Sequence, residues 1–173
     1  MSDNENRTHP SDAPLRSLKI LIVDDIFINH IILESILQDQ GHRVESAKTG
    51  LAAVEAATRQ EFDLILMDIN MPVMDGKAAT RLIRELPGPN SKIPIIACTA
   101  DMEEDHIKDY RDSGLSSVIC KPIVKQDLLD ALNDFHNSTL GFPDKITGQS
   151  RPDSNTDHRT EEILGNLLKE ISG

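Results

Sequence analysis

The 173-residue chain has no Trp and a single Tyr, and aromatics make up only 3 % of it. Its two cysteines, Cys98 and Cys120, are too few for a disulfide framework and read as reduced small hydrophobes of a cytosolic protein. Basic residues are short too: 18 Lys and Arg stand against 29 Asp and Glu, a formal charge of −11. Binding to a phosphate backbone calls for a basic stripe, so nucleic acid is not the expected partner. No apolar run approaches the roughly 18 residues of a membrane helix, and the opening MSDNENRTHPSDAP lacks an apolar signal core. The phosphate loops GxxxxGK(S/T) and GxGxxG are both missing, which removes the P-loop and dinucleotide-binding readings. The histidines His9, His30, His42, His106, His136 and His158 are scattered, so no zinc cluster is expected.

What is present is a dense aliphatic middle flanked by polar ends. Residues 1–15 and 138–158 are rich in Ser, Thr, Asn, Asp, Pro and Gly. Such segments bury too little apolar surface to offset their ordering entropy, and they are expected to be a disordered tail and a flexible linker. Residues 159–173 hold an apolar stripe (Ile163, Leu164, Leu167, Leu168 and Ile171) expected to form a short amphipathic helix. The domain proper is therefore 16–137.

Within it, short apolar runs alternate with amphipathic stretches. The runs are 19–23, 42–47, 64–67, 93–98 and 117–120, and three are near-continuous Ile, Leu and Val, as suits strands buried on both faces. Helical patterns lie between them. The first has Ile28, Ile31, Ile32, Ile36 and Leu37 and stops before Gly41, with Ile28 and Ile32 expected in the core. The second spans 51–59 and the third 76–86. The fourth, about 102–112, is polar, offers few core-facing residues and is expected to be the most mobile. The fifth follows Pro122. Five β-α units in strict alternation predict a doubly wound parallel α/β fold.

Ligands of such folds bind beyond the carboxyl ends of the strands. Those ends carry Asp24 and Asp25, then Asp68, then Thr99 and Ala100, then Lys121 and Pro122. One Asp past a strand is ordinarily a helix cap. Three crowded carboxylates are different, because each close pair repels by about 4 kcal/mol at an effective dielectric near 20. They need a cation, and an all-oxygen donor set fits Mg²⁺. Beside it, Asp68 can act as a nucleophile that forms an acyl phosphate, with Lys121 and Thr99 contacting phosphoryl oxygens. An aspartyl-phosphate phosphatase of the haloacid-dehalogenase type also uses Asp and Mg²⁺, but it wants Asp-x-Asp on the first strand. Here the pair is adjacent.

In residues 18–137 the segments ILIVDD (20–25), DLILMDINMPVMDG (63–76), IPIIACTA (93–100) and CKPI (120–123), together with Asn29, resemble receiver domains of two-component response regulators. The likeness is strongest to receivers attached to hybrid sensor kinases. It implies a flavodoxin-like sheet of order 2-1-3-4-5 with five flanking helices. It also implies that Asp68 accepts a phosphoryl group from a histidine kinase or histidine phosphotransfer protein. Mg²⁺ would be held by Asp25, Asp68 and the backbone carbonyl of Asn70, with Asp24 acting mainly through metal-bound water. Thr99, Ala100 and Lys121 would sense the phosphoryl group, and Asn70 and Asp101 would tune its hydrolysis. Pro122 is the candidate cis-peptide site, and Pro72 and Gly76 shape the loop after the third strand, Gly76 by tolerating unusual dihedrals. Phe27 is a candidate docking residue for the phosphodonor.

The sequence departs from the family at Val118, where receivers usually have Tyr or Phe, and at Ser116 and Ser117, which are often acidic. Val118 cannot make the family's ring swing, so Thr99 and the loop over 100–104 would carry the signal. The whole reads as a cytoplasmic phosphoacceptor signalling module rather than a conventional enzyme. With no DNA-binding segment, its message would pass to an unknown downstream protein or through self-association. Met1 with its polar tail favours a stand-alone chain over a receiver belonging to a hybrid histidine kinase.

Overall fold

The computed structural model describes residues 16–141. Five parallel strands, β1 (Lys19–Val23), β2 (Arg43–Ala47), β3 (Leu64–Asp68), β4 (Ile95–Thr99) and β5 (Ser117–Cys120), form one sheet of order β2-β1-β3-β4-β5. Helices α1 (Phe27–Asp39), α2 (Gly50–Arg59), α3 (Gly76–Glu85), α4 (Glu104–Asp112) and α5 (Lys125–His136) alternate with them, and a 3₁₀ turn at Pro89–Ser91 precedes β4. The expected tail, linker and C-terminal helix (1–15, most of 138–158, and 159–173) lie outside the described residues, although residues 138–141 do not. Leu140 packs on the core and Ser117 Oγ donates to Gly141 O at 2.9 Å, so the described chain continues past 137 against β5.

The strand alternation splits the core in two. Leu21, Val23, Ile65, Met67, Ile95 and Ala97 face α2, α3 and α4, meeting Ala53, Ala57, Ala79, Ile83, Ile107 and Tyr110. Ile20, Ile22, Leu64, Leu66, Ile96 and Ile119 face α1 and α5, meeting Leu33, Leu37, Leu128 and Leu132. Burying both faces explains the unbroken Ile/Leu/Val runs, while β2 at the edge keeps Arg43 and Ser46 exposed. Aliphatic and Ala side chains fill these layers, so few aromatics are needed.

One expectation about the helices is corrected. The buried stripe of α1 is His30, Leu33 and Leu37, whereas Ile28 and Ile32 are only half-buried. That helix is apolar almost all round, so periodicity could not fix which side turns inward. On α4 only Ile107 and Tyr110 are buried, the fewest of any of the five helices and in keeping with its polar sequence, and Lys77 of α3 reaches Asp109 at 2.5 Å.

Local chemistry sets the helix ends. Thr49 Oγ1 accepts from Ala52 N–H and Asp75 Oδ1 from Ala78 N–H, capping α2 and α3. Gly41 and Gly114 take left-handed φ of 82° and 93° and close α1 and α4. Gly76 serves otherwise than expected. Its φ is ordinary, but a Cβ there would stand 2.2 Å from the carbonyl oxygen of Asp68. Close approach of the α3 start to the end of β3, not an unusual dihedral, requires glycine. The unusual dihedral belongs to Val73, at φ 70°.

Two polar pins that the periodicities did not single out hold the far end of the sheet. Buried Asn90 donates to Ala57 O and Gln60 O and accepts from Phe62 N–H. Arg84 donates to the carbonyls of Gly114, Ser91 and Ile93.

Candidate functional site

The order β2-β1-β3 means that the chain leaves β1 on one side and returns as β3 on the other, which opens a crevice at their carboxyl ends. Register brings Val23 opposite Met67, so Asp24 and Asp68 emerge side by side. Both are buried, at 2 % and 3 % exposure, while Asp25 points out to solvent. The three carboxylates each offer an oxygen within 4.8 Å of the others.

Asp24 is held tightly. Its Oδ1 accepts from Ile26 N–H at 2.8 Å, and Oδ2 accepts from Asn29 Nδ2 at 2.9 Å. The Asn after the Asp pair is thus a clamp on Asp24. His30, which the sequence reading left as a scattered histidine, puts Nε2 2.5 Å from the Asp24 carbonyl oxygen, so that nitrogen carries the proton. Only its spacing from Asp24, nearly two helical turns on, could have hinted at this.

From β5, Lys121 reaches across the crevice. Its Nζ lies 2.8 Å from Asp24 Oδ2 and 3.1 Å from Asp68 Oδ1, with 20 % of its side chain exposed. The Lys121 N–H donates to Thr99 O at 2.8 Å, and the Lys121–Pro122 peptide is cis. Asp68 Oδ1 also accepts from Asn70 N–H at 3.1 Å, whereas no described donor is bonded to Oδ2. Thr99 ends β4 fully buried, and its Oγ1 accepts from Asp101 N–H at 3.1 Å. Ala100 is exposed beside it, and Val118 lies half-buried on β5, packed against the α2–α4 side of the core.

Electrostatics follow from this packing. Burial pushes the Asp68 carboxyl above its ordinary range, Lys121 opposes that, and neighbouring Asp24 adds to it. Burial also works against the Lys121 ammonium, but Asp24 and Asp68 outweigh it and hold Lys121 above its usual value. One cation therefore serves two buried carboxylates and a third at the mouth, a donor set that remains two positive charges short of neutral. All-oxygen donors with that deficit fit a small divalent cation. A second trio, Asp101, Glu103 and His106, also comes within 4.8 Å, but there Asp101 is already bonded to His106 and to the Glu103 N–H.

The model for the response regulator receiver domain matches residues 20–133. The chain belongs to this family. Its fold is the CheY-like flavodoxin fold: the chemotaxis protein CheY4 of Vibrio cholerae superposes with a TM-score of 0.66 at 29 % identity, covering 69 % of this chain and 98 % of that one. The receiver domain of a sensor histidine kinase from Pseudomonas aeruginosa PAO1, solved with a magnesium ion coordinated in its active-site cleft, gives 0.64 at 34 % identity, covering 70 % and 98 %. Among curated proteins, the sensor protein GacS of Pseudomonas syringae pv. syringae is 37 % identical over 74 % of this chain. The autoinducer 2 sensor kinase/phosphatase LuxQ of Vibrio vulnificus is 38 % identical over 77 %. The receiver spans only 14 % and 16 % of the length of those two kinases. Receivers are signalling phosphoacceptor modules that meet histidine kinases or phosphotransfer proteins, and this one carries the acidic pocket Asp24/Asp25/Asp68. No helix among its described residues is long and apolar enough to cross a membrane.

Proposed function

We propose that Asp68 accepts a phosphoryl group from a phosphohistidine donor, with Mg²⁺ in the acidic pocket. The observation that carries this reading is the buried Asp68 carboxylate, bridged by Lys121 to Asp24 on one oxygen and bonded to no described donor on the other. Asp68 Oδ2 attacks phosphorus, the P–N bond to the donor imidazole breaks, and an acyl phosphate forms. Asp24, Asp25 and Asp68 would hold the metal, joined by the carbonyl of Asn70. The metal supplies neutralisation of the charge on the phosphoryl oxygens. Lys121 exchanges part of its contact with Asp68 for a phosphoryl oxygen, and Thr99 donates its hydroxyl to another. Ala100 lies beside Thr99 on the loop that would shift with it.

The donor would be a histidine kinase or a phosphotransfer protein. Exposed Ile26, Phe27, Leu51, Val73 and Val124 all follow the carboxyl end of a strand, so they ring the pocket with apolar surface suited to a protein donor. A cytoplasmic setting goes with such a donor. The kinship with GacS and LuxQ favours a second reading, in which the receiver is one station of a hybrid-kinase relay that hands its phosphoryl group to a second histidine. In either case the output is protein contact, to a downstream partner or a second copy.

The test is incubation with a small acyl-phosphate donor and Mg²⁺. The expected result is one alkali-labile, hydroxylamine-sensitive phosphoryl adduct, lost on chelation and lost in Asp68→Asn. Labelling that survives in Asp68→Asn would sink the assignment.

A further inference from the structure

Tyr110 is the only tyrosine of a chain without Trp. It stands on α4 at 3 % exposure, packed in the same cluster as Ile107 and Leu115, with Val118 and Met102 against it. Core packing alone would account for the ring, but not for the bonds of its hydroxyl. That hydroxyl donates to Asp101 O at 3.3 Å and lies 3.4 Å from Thr99 Oγ1.

A count of protons fixes the direction of the second contact. The phenol has one proton and the threonine hydroxyl has one. The phenol proton goes to Asp101 O, and the Asp101 N–H goes to Thr99 Oγ1. The contact between the two hydroxyls is then satisfied with Thr99 donating and Tyr110 accepting. The Thr99 proton is therefore engaged in the unphosphorylated protein, and it is the same proton that a phosphoryl oxygen on Asp68 would need.

We propose that Tyr110 is a positioning residue: its phenol oxygen holds the Thr99 hydroxyl in the resting state and competes for it with the phosphoryl group. The inference rests on the reading of Thr99 as a phosphoryl contact. Thr99 and Tyr110 are both buried, so water does not readily replace the bond when it breaks. Release is felt on α4 by two routes, the Tyr110 ring itself and the Asp101 backbone that leads into the helix. Val118 offers no hydroxyl for this task, and among the described residues Tyr110 is the only side chain bonded to Thr99 Oγ1.

The unaltered chain provides the first test, because its fluorescence comes from one buried phenol. With Mg²⁺ and beryllofluoride as the phosphoryl mimic, tyrosine emission is expected to change in step with occupancy of the pocket. Removing the competing oxygen in Tyr110→Phe should tighten beryllofluoride binding by about two- to fivefold, the lower part of what one net hydrogen bond supplies at this length. Binding is read from the unfolding midpoint against beryllofluoride concentration. The gain should vanish in the Thr99→Ala background, whereas a packing role would change both backgrounds alike. If beryllofluoride binds but the emission stays constant, or if the gain persists without Thr99, the inference is overturned and the phosphoacceptor reading stands. If the mimic does not bind and no acyl-phosphate adduct forms, both fall together.

Discussion

Lys121 is the only ammonium among the described residues within salt-bridge distance of the buried pair Asp24 and Asp68, and replacing it with Met tests the electrostatic account of the pocket. Met keeps most of the stem and removes the charge. At 2.8 and 3.1 Å the two ion pairs amount to about 6 and 5 kcal/mol of gross attraction at an effective dielectric of 20, against which the ammonium's own desolvation must be set. Breaking a buried pair by removing one partner costs about 3–5 kcal/mol. The mouth is open enough to leave 20 % of the Lys121 side chain exposed, which lowers the expectation to about 2–3 kcal/mol. The loss should depend on pH. Asp68 already has a raised pKa in the folded state, so its ionisation opposes folding, and stability falls as pH rises through the folded value. Without Lys121 that value climbs further. The gap between parent and Lys121→Met should therefore be widest at neutral pH and shrink as acid protonates Asp68. Urea unfolding in a chelator, at neutral pH and in mild acid, measures both quantities. Added Mg²⁺ should stabilise the variant more than the parent, because the dication supplies the missing neutralisation. A gap below about 1 kcal/mol at neutral pH, or one that does not narrow in acid, would refute this reasoning.

Three further outcomes are expected. Arg84→Met leaves the carbonyls of Gly114, Ser91 and Ile93 without their shared donor and should cost about 2–4 kcal/mol in urea unfolding, although the residue is far from the pocket. Val73→Gly should stabilise by about 0.5–1 kcal/mol, since a fully exposed β-branched residue at φ 70° gives up strain and no contacts. The same variant should slow phosphorylation by a protein donor and leave the small acyl-phosphate reaction unchanged, if the apolar rim docks the donor. Cys98 is fully buried and its thiol is pushed up to about 12, so a thiol reagent should label it only after unfolding.

Much of the fold was legible along the chain because its strands are buried on both faces. Runs such as KILIV and LILMD admit few other environments, and the alternation of runs with amphipathic segments leaves a parallel sheet as the economical solution. Boundaries were less legible. β3 and β4 extend one residue further than their apolar runs, so that Asp68 and Thr99 are strand residues with polar side chains, fixed by ladder bonds rather than hydropathy. The phase of α1 could not be read, because a helix apolar on nearly every side carries no moment to orient it.

Family, layer order and the gathering of Asp24, Asp25, Asp68, Thr99 and Lys121 on one rim were already written along the chain, because these follow from local pattern and from the rule that strand ends share an edge. How those groups divide the work came from the packing of the folded chain. It assigned Lys121 to both buried carboxylates, Asn29 and His30 to Asp24, and Tyr110 to Thr99. It also showed that Gly76 is needed for close approach to Asp68 and that the strained dihedral sits at Val73. The physical reason is range. Hydropathy and helix phase act between neighbours in sequence, whereas a hydrogen bond from α4 to the end of β4, or an ammonium that crosses from β5 to β1, depends on how distant segments pack.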